Sequence, residues 1–406
     1  MEALVTPPVV EEGSLPLDEG LPSLPFLLQK EWVWDAYRQR FGDPEEAPQR
    51  LRLQQFLYRP GQWALVSYAM ERRWGKWVVE DQFGVELAAG QEMKLFRYPD
   101  DPYLPGLSRA AFATDAHDLV AEYAGLHPYR LEVDPVRYVA GSHAVLKHTV
   151  RWRRGGEATL FARVLPPDRL SRLLEATELV KSSGFLLPWV AGSWPEGGVA
   201  WVAGVPGETL RSLIRKGRAP DPSLVLDGIA QLWSAAAASG HAMDVEAGLR
   251  WSRRLLLQVL PDDDIRTLVR QVARSLGPFA EAWKPSGLAH NDFHDAQLVM
   301  TPSGRLALVD YEEAGPGDPL LDVGNMLAHL HWMAWFGKSE ECGAYRWRLR
   351  EAAVARFGWD RREMSLREAY AIFRLCTNPL RGLRPGWASD VEKGLRLAMQ
   401  TLEETV

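Results

Sequence analysis

The spacing of hydrophobic positions changes period several times along the chain, and each change predicts a change of element. Residues 1–25 are rich in Pro, Glu and Gly and contain no Lys or Arg, the pattern of a disordered acidic tail. FLLQKEWVWDAYRQR (26–40) places apolar residues at helical spacing. Residues 51–110 read as strands. FLYRPGQWALVSYAME (56–71) has a Pro-Gly turn followed by alternation, and VELAAGQEMKLFRYP (85–99) suggests another strand pair. A short helical region spans His117 to Leu126. Strand patterning returns over 130–165 in YRLEVDPVRYVA, HAVLKHTVRW and ATLFARVLPP, with turns at Gly141-Ser142 and Arg153 to Gly156. DRLSRLLEATELVKSSG (168–184) is an amphipathic helix, with Asp168 as the expected cap and Gly184 as the stop. Residues 186–214 predict two strands about a Pro-Glu-Gly-Gly turn, then a helix capped by Thr209. The segments 223–285 and Pro319 to the end keep a helical period.

Two stretches echo one another. Tyr58-x-x-Gly61-x-x-Ala64 repeats as Tyr138-x-x-Gly141-x-x-Ala144, and Gly90-x-Glu92-x-x-Leu95-Phe96 as Gly155-x-Glu157-x-x-Leu160-Phe161. The expectation is a sheet at 50–110 built like the one at 130–165, and matching strand order would support it.

The densest chemistry lies in HNDFHDAQLVM (290–300) and SGRLALVDYEEAGPGDPLLD (303–322). Leu298 to Met300 and Leu306 to Val309 are short apolar runs about a Thr-Pro-Ser-Gly turn, so a hairpin is expected. It would carry Asp292, Gln297 and Asp310 to one edge. Such a set suits phosphoryl transfer. One carboxylate orients a substrate hydroxyl, while an amide oxygen and a second carboxylate hold Mg²⁺ against nucleotide phosphates.

This pattern, His-x-Asp-x-x-x-x-Gln, then an apolar strand ending in Asp, then Gly-Asp-Pro-x-x-Asp, resembles the aminoglycoside phosphotransferase / choline kinase superfamily. Gln297 in place of the usual Asn resembles its maltokinase branch. The resemblance implies an α+β, protein-kinase-like two-lobe fold, with an antiparallel-sheet small lobe and a mainly helical large lobe. To this the chain adds an N-terminal α/β cap. The expected divisions are a tail at 1–25, the cap at 26–129, the small lobe and hinge at 130–205, and the large lobe at 206–406. By resemblance, Asp292 is the catalytic base, Gln297 and Asp310 are the metal ligands, and His290, Asp318 and Asp322 are structural. The amides of Gly141 and Ser142 would cover phosphates. Arg163 stands where the family has Lys, with Lys147 as an alternative cation. Glu175 is the helix carboxylate expected to pair with it, Glu178 being the other candidate. Backbone groups from Trp201 to Ala203 would meet adenine.

Composition narrows the partners. A net charge of −6 and the lack of a dense Lys/Arg tract argue against nucleic acid. No apolar run is long enough to span a membrane, and the N-terminus lacks a signal-peptide pattern. Cys342 and Cys376 form neither a metal motif nor a disulfide framework, which fits a cytoplasmic location. The 17 Trp residues hint at carbohydrate stacking. The expected activity is ATP- and Mg²⁺-dependent phosphorylation of a hydroxyl on a sugar or amino sugar. The alternative is a nucleotide-binding pseudokinase with a regulatory or scaffolding role, supported by the missing strand Lys. Glu312 and Glu313 are expected on a solvated face, the alternative being contact with metal or substrate.

Overall fold

The computed structural model describes residues 18–42, 50–74, 77–181, 183–235 and 242–404. The fold starts earlier than the acidic composition implied. Asp18 is buried and accepts hydrogen bonds from the Tyr58 hydroxyl (2.5 Å) and the N–H groups of Gly61 (2.7 Å) and Gly20 (2.9 Å). Leu21 and Leu24 enter the core behind it. Residues 18–25 are therefore not part of a disordered tail, because one carboxylate organises a turn and draws its neighbours inward. The rest of the expected tail, 1–17, lies outside the described residues.

Helix α1 (Lys30–Phe41) is followed by β1 (Arg50–Arg59), β2 (Trp63–Trp74), β3 (Trp77–Ala88) and β4 (Lys94–Arg97), an antiparallel sheet in sequence order. Helices α2 (Leu107–Ala111) and α3 (Ala113–Ala124) lie against a second sheet. Its strands are β5 (Arg130–Val139), β6 (His143–Arg151), β7 (Glu157–Val164), β8 (Val190–Trp194) and β9 (Val199–Ala203), ordered β5-β6-β7-β9-β8. Helix α4 (Pro167–Val180) crosses between β7 and β8. Its N-cap is Pro166 rather than Asp168, which sits in the first turn. The helix closes at Val180, before Gly184. Pro167 is preorganised for the first helical position, so proline geometry starts this helix in place of a side-chain cap.

The two sheets share one device. Tyr58 pairs with Ala64 and Tyr138 with Ala144, so both hairpins turn at the same step. Asp101 repeats the work of Asp18, accepting from Tyr138 Oη (2.9 Å) and Gly141 N (2.8 Å). The second half of the echo is not equivalent. Leu95 and Phe96 lie on the fourth strand of one sheet, whereas Leu160 and Phe161 lie on the third of the other. A Gly-x-Glu turn can precede any strand, so that match did not carry position.

A short β10 (Glu208–Thr209) leads into α5 (Leu210–Arg215), where Thr209 accepts from Ser212 N. Helices α6 (Pro222–Ser234), α7 (Val245–Val259) and α8 (Asp263–Ala282) follow. Then come β11 (Gly287–Ala289), β12 (Leu298–Met300), β13 (Leu306–Leu308) and β14 (Gly315–Gly317). The chain ends in α9 (Pro319–Gly337), α10 (Glu340–Phe357), α11 (Arg361–Leu375), α12 (Asn378–Gly382) and α13 (Trp387–Glu403). This is the expected pairing of an antiparallel-sheet lobe with a helical lobe. No helix among the described residues is long and apolar enough to cross a membrane.

Three apolar clusters hold the parts together. One joins the β1–β4 sheet to α7, α8, α11 and α13 through residues such as Phe56, Phe83, Leu256, Val272 and Phe373. A second joins α4 and β9 to the β12–β13 hairpin, α6, α9 and α10. The third lies between the β5–β9 sheet and α2–α3, and takes in Leu65 and Phe96 from the first sheet.

Candidate active site

The loop after β11 is fixed by Asp322 from α9. Its two oxygens accept the N–H groups of His290 (2.7 Å) and Asn291 (2.9 Å), and Asn291 takes a left-handed φ of 65°. The Asn291 side chain donates to the Glu313 carbonyl (2.9 Å), and Asn325 donates to that of Phe293 (3.0 Å). His290 is fully buried and packs edge-on against Phe293, and burial lowers its pKa to about 4, so it is neutral. Asp318 caps α9 and pairs with Arg367 at 2.6 Å. These residues hold the loop; the His290 ring nitrogens are buried without a hydrogen-bond partner among the described residues.

Asp292 emerges half-buried from that scaffold. Burial raises its pKa to about 6. Arg374 and the Gln297 amide pull it down, and Glu313 and Glu312 push it up. Gln297 Nε2 donates to Asp292 Oδ2 at 3.3 Å, and Gln297 Oε1 accepts His294 N at 3.1 Å. The hairpin register pairs Leu298 with Leu308, and Val309 N donates to the Gln297 carbonyl (2.9 Å). Asp310 therefore follows directly after the backbone partner of Gln297, at a left-handed φ of 56° that turns the chain out of the strand.

Arg163 on β7 reaches this edge. Its guanidinium pairs with Asp310 Oδ1 at 3.1 Å and donates to Glu312 Oε1 at 2.7 Å. Glu312 is largely buried, not on a solvated face. Against the cost of burial, Arg163 holds its pKa below the usual carboxylate range. Glu175 is not the partner of Arg163. It lines a separate cavity of about 810 Å³ with Leu174, Glu178 and Trp189. The pairing expected by helix position is not made, because Asp310 and Glu312 take the guanidinium instead.

Lys147 shares the sheet face of Arg163, since Val145 pairs with Arg163, but lies two residues farther out and approaches Asp134 at 3.9 Å. The Gly141 and Ser142 amides are not available for phosphates. Gly141 N donates to Asp101 and Ser142 N to the Val139 carbonyl (3.0 Å). Guanidinium groups stand there instead. His143 has its pKa lowered to about 4 by burial and then by Arg137, Arg169 and Arg163, which gather around this turn. Trp201 is also displaced from its expected role. Strand β9 runs between β7 and β8, so ladder pairing occupies its backbone, and Ala203 N donates to the Trp189 carbonyl (2.8 Å). Backbone outside any ladder begins after Ala203, and Val205 N–H donates no hydrogen bond among the described residues.

All donors facing the acidic edge are oxygens. Gln297 Oε1 has a remaining lone pair, Asp310 is half-exposed, and Glu312 Oε2 is buried without a hydrogen-bond partner. An orphaned carboxylate oxygen beside a carboxylate and an amide oxygen fits Mg²⁺, a hard cation that takes few protein ligands. Asp292 opens on its other side into a cavity of about 950 Å³, lined by Trp251, His294, His329, Tyr370, Arg374 and Arg381 among others. Sequence reading missed Asp101, Glu312 as a buried partner, and Arg59 and Arg374 of this cavity; Arg381 it offered as a pocket-lining residue without a role. The run Asp-x-x-Leu-Pro at Asp101, matched at Asp18, was the signal available for the first.

The profile of the phosphotransferase enzyme family matches residues 181–365. No curated protein matches the chain. Among solved structures, a choline/ethanolamine kinase family protein from Mesorhizobium loti superposes with a TM-score of 0.51 at 16% identity, covering 72% of this chain and 96% of that one. A thermostable mutant of the aminoglycoside phosphotransferase APH(4)-Ia, in a ternary complex with ADP and hygromycin B, superposes with a TM-score of 0.50 at 17% identity, covering 70% and 98%. At such identities the structural likeness speaks to the fold, and the sequence profile to the family. The segment that carries the loop, the hairpin and α9 thus matches the phosphotransferase enzyme family and supports a small-molecule kinase, on a fold shared with aminoglycoside phosphotransferases and choline kinases.

Proposed function

We propose that the protein uses ATP and Mg²⁺ to phosphorylate a hydroxyl of a small, sugar-like acceptor. The observation that carries this reading is Asp292. It is a carboxylate raised to about 6, bonded to Gln297, beside the oxygen-only edge of Asp310 and Glu312, and open to a cavity of about 950 Å³. A base with a pKa just below neutrality accepts a proton in the transition state while staying ionised at pH 7. Asp292 would orient the acceptor hydroxyl and take its proton. Mg²⁺, held by Gln297 and Asp310, supplies charge neutralisation between phosphate oxygens when bound. Arg163, Arg137 and Arg169 would receive the phosphate tail. Adenine would lie near Ala203 to Val205, where backbone leaves the sheet.

The test is ADP release over a panel of hydroxylated compounds, with Asp292→Asn as control. Acceptor-dependent ADP formation that the substitution removes is expected. Identical rates in both proteins would sink the assignment.

A second reading has one observation behind it. Arg163 occupies Asp310 and Glu312, where a metal would otherwise be neutralised, as a nucleotide-binding pseudokinase could afford. Nucleotide binding that magnesium does not strengthen, with no acceptor turned over, would favour it.

A further inference from the structure

The cavity next to Asp292 is walled by three arginines that form no salt bridge among the described residues. Arg374 comes from α11, Arg381 from α12 and Arg59 from the end of β1. Among the described residues, none of the three has a carboxylate oxygen within 4.0 Å. Other arginines of this chain do find such partners, including Arg163, Arg211, Arg346 and Arg367. The acids of the cavity, Asp244, Asp292 and Glu313, form no salt bridge with the three arginines among the described residues. Asp244 Oδ1 caps α7 through Ala247 N (2.8 Å), Asp292 bonds Gln297, and Glu313 approaches none of the three cations.

Arg59, Trp251, Thr377 and Arg381 also line an adjoining recess of about 240 Å³, so Arg59 and Arg381 stand where the two spaces meet. Arg381 keeps surface access, yet the cavity walls desolvate its guanidinium; Asp292 attracts it, and Arg374 adds a smaller repulsion. A planar guanidinium that no protein carboxylate grips is free to meet a ligand carboxylate or phosphate in a bidentate way.

We propose that the acceptor is an anionic hydroxy compound, whose carboxylate or phosphate is held by Arg59 and Arg381 while its hydroxyl lies at Asp292. This rests on the kinase reading only for what Asp292 does to the hydroxyl. Arg374 lies close enough to act on both Asp292 and Arg381, and so joins the two ends of the acceptor. Arg59 gives the N-terminal sheet a direct part in acceptor choice.

Two matched sets test this by calorimetry on the full chain with Mg²⁺ and a non-hydrolysable ATP analogue. They are glucose, glucuronate and glucose 6-phosphate, and glycerol, glycerate and glycerol 3-phosphate. In at least one set the expected result is a charged member bound at least about tenfold tighter than the neutral one, the scale of one charge-assisted contact. Which charged member wins separates carboxylate from phosphate. Arg59→Gln and Arg381→Gln should each remove most of that preference with ATP-analogue affinity unchanged, which also reports folding. Arg381→Lys should restore part of it. No charged-over-neutral difference in either set, or a preference that survives the double Gln variant, overturns the proposal. ADP formation is read separately. Arginine-dependent anion binding without ADP would reject the kinase reading alone, and ADP formed from neutral members without charge preference would reject this one alone.

Discussion

Asp292 illustrates how one position draws its properties from distant ones. Burial sets its pKa near 6, and Arg374, 82 residues later, keeps it from rising further. Activity should therefore climb with pH through about 6, as the carboxylate loses its proton, and reach a plateau above it. Arg374→Gln should move that limb to higher pH, which a kcat/KM profile would measure. Asp292→Asn should lower turnover by about 10²–10⁴-fold while nucleotide still binds. Arg163→Lys should release either Asp310 or Glu312, because a single ammonium cannot reproduce a fork. The expected readout is a lower magnesium concentration at half-maximal nucleotide binding. The spacing of Asp292, Gln297 and Asp310 was legible because one tight hairpin governs it. The partners of Arg163 were not, since 149 residues separate it from Glu312 and no local pattern spans that distance.

Among elements, hydrophobic period located the helices and strands well, and end chemistry located their limits less well. Thr209 caps its helix as composition suggests, whereas Asp168 does not, because Pro166 and Pro167 start α4 without it. The turn at Gly141 looked like a phosphate cradle and is instead held by Asp101, 40 residues earlier. Asp101→Ala would strand the Tyr138 hydroxyl and the Gly141 amide. Urea unfolding should show a loss of about 1–3 kcal/mol for each donor left unpaired. A second polar junction ties the last helices together. Glu368 on α11 is fully buried and accepts from Arg346 and Arg350 on α10 and pairs with His331 on α9. Despite burial, which alone would raise it, Arg346 and His331 bring its pKa down to about 2. A depressed carboxylate stabilises the fold above its unfolded pKa, near 4.3, and that contribution disappears as pH falls toward 2. Glu368→Gln should cost about 1–3 kcal/mol at neutral pH by leaving Arg346 and Arg350 to share the carboxylate of Glu404 alone. The same variant should flatten the acid limb of the stability curve.

For the molecule as a whole, the sequence divides more sharply than the cores do. The β1–β4 sheet was foreseen as a cap, and its strands are there, but it shares a continuous apolar cluster with α7, α8, α11 and α13. Pattern along a chain reports which faces are apolar and not which partner covers them. Removing residues 18–97 should therefore expose the flanks of four helices, and the remaining chain should aggregate or bind a hydrophobic dye where the intact protein does not.

That sheet also touches the other lobe. Leu65 and Phe96 enter the cluster under β5–β9, and a Cβ at Gly84 would lie 2.7 Å from Ala140 Cβ. It works as a brace bolted to both jaws of the cleft. A braced cleft opens with difficulty, so spent nucleotide should leave slowly and that departure should pace the cycle. A burst of product in the first turnover, absent when Leu65 and Phe96 are cut to Ala, is the signature to look for.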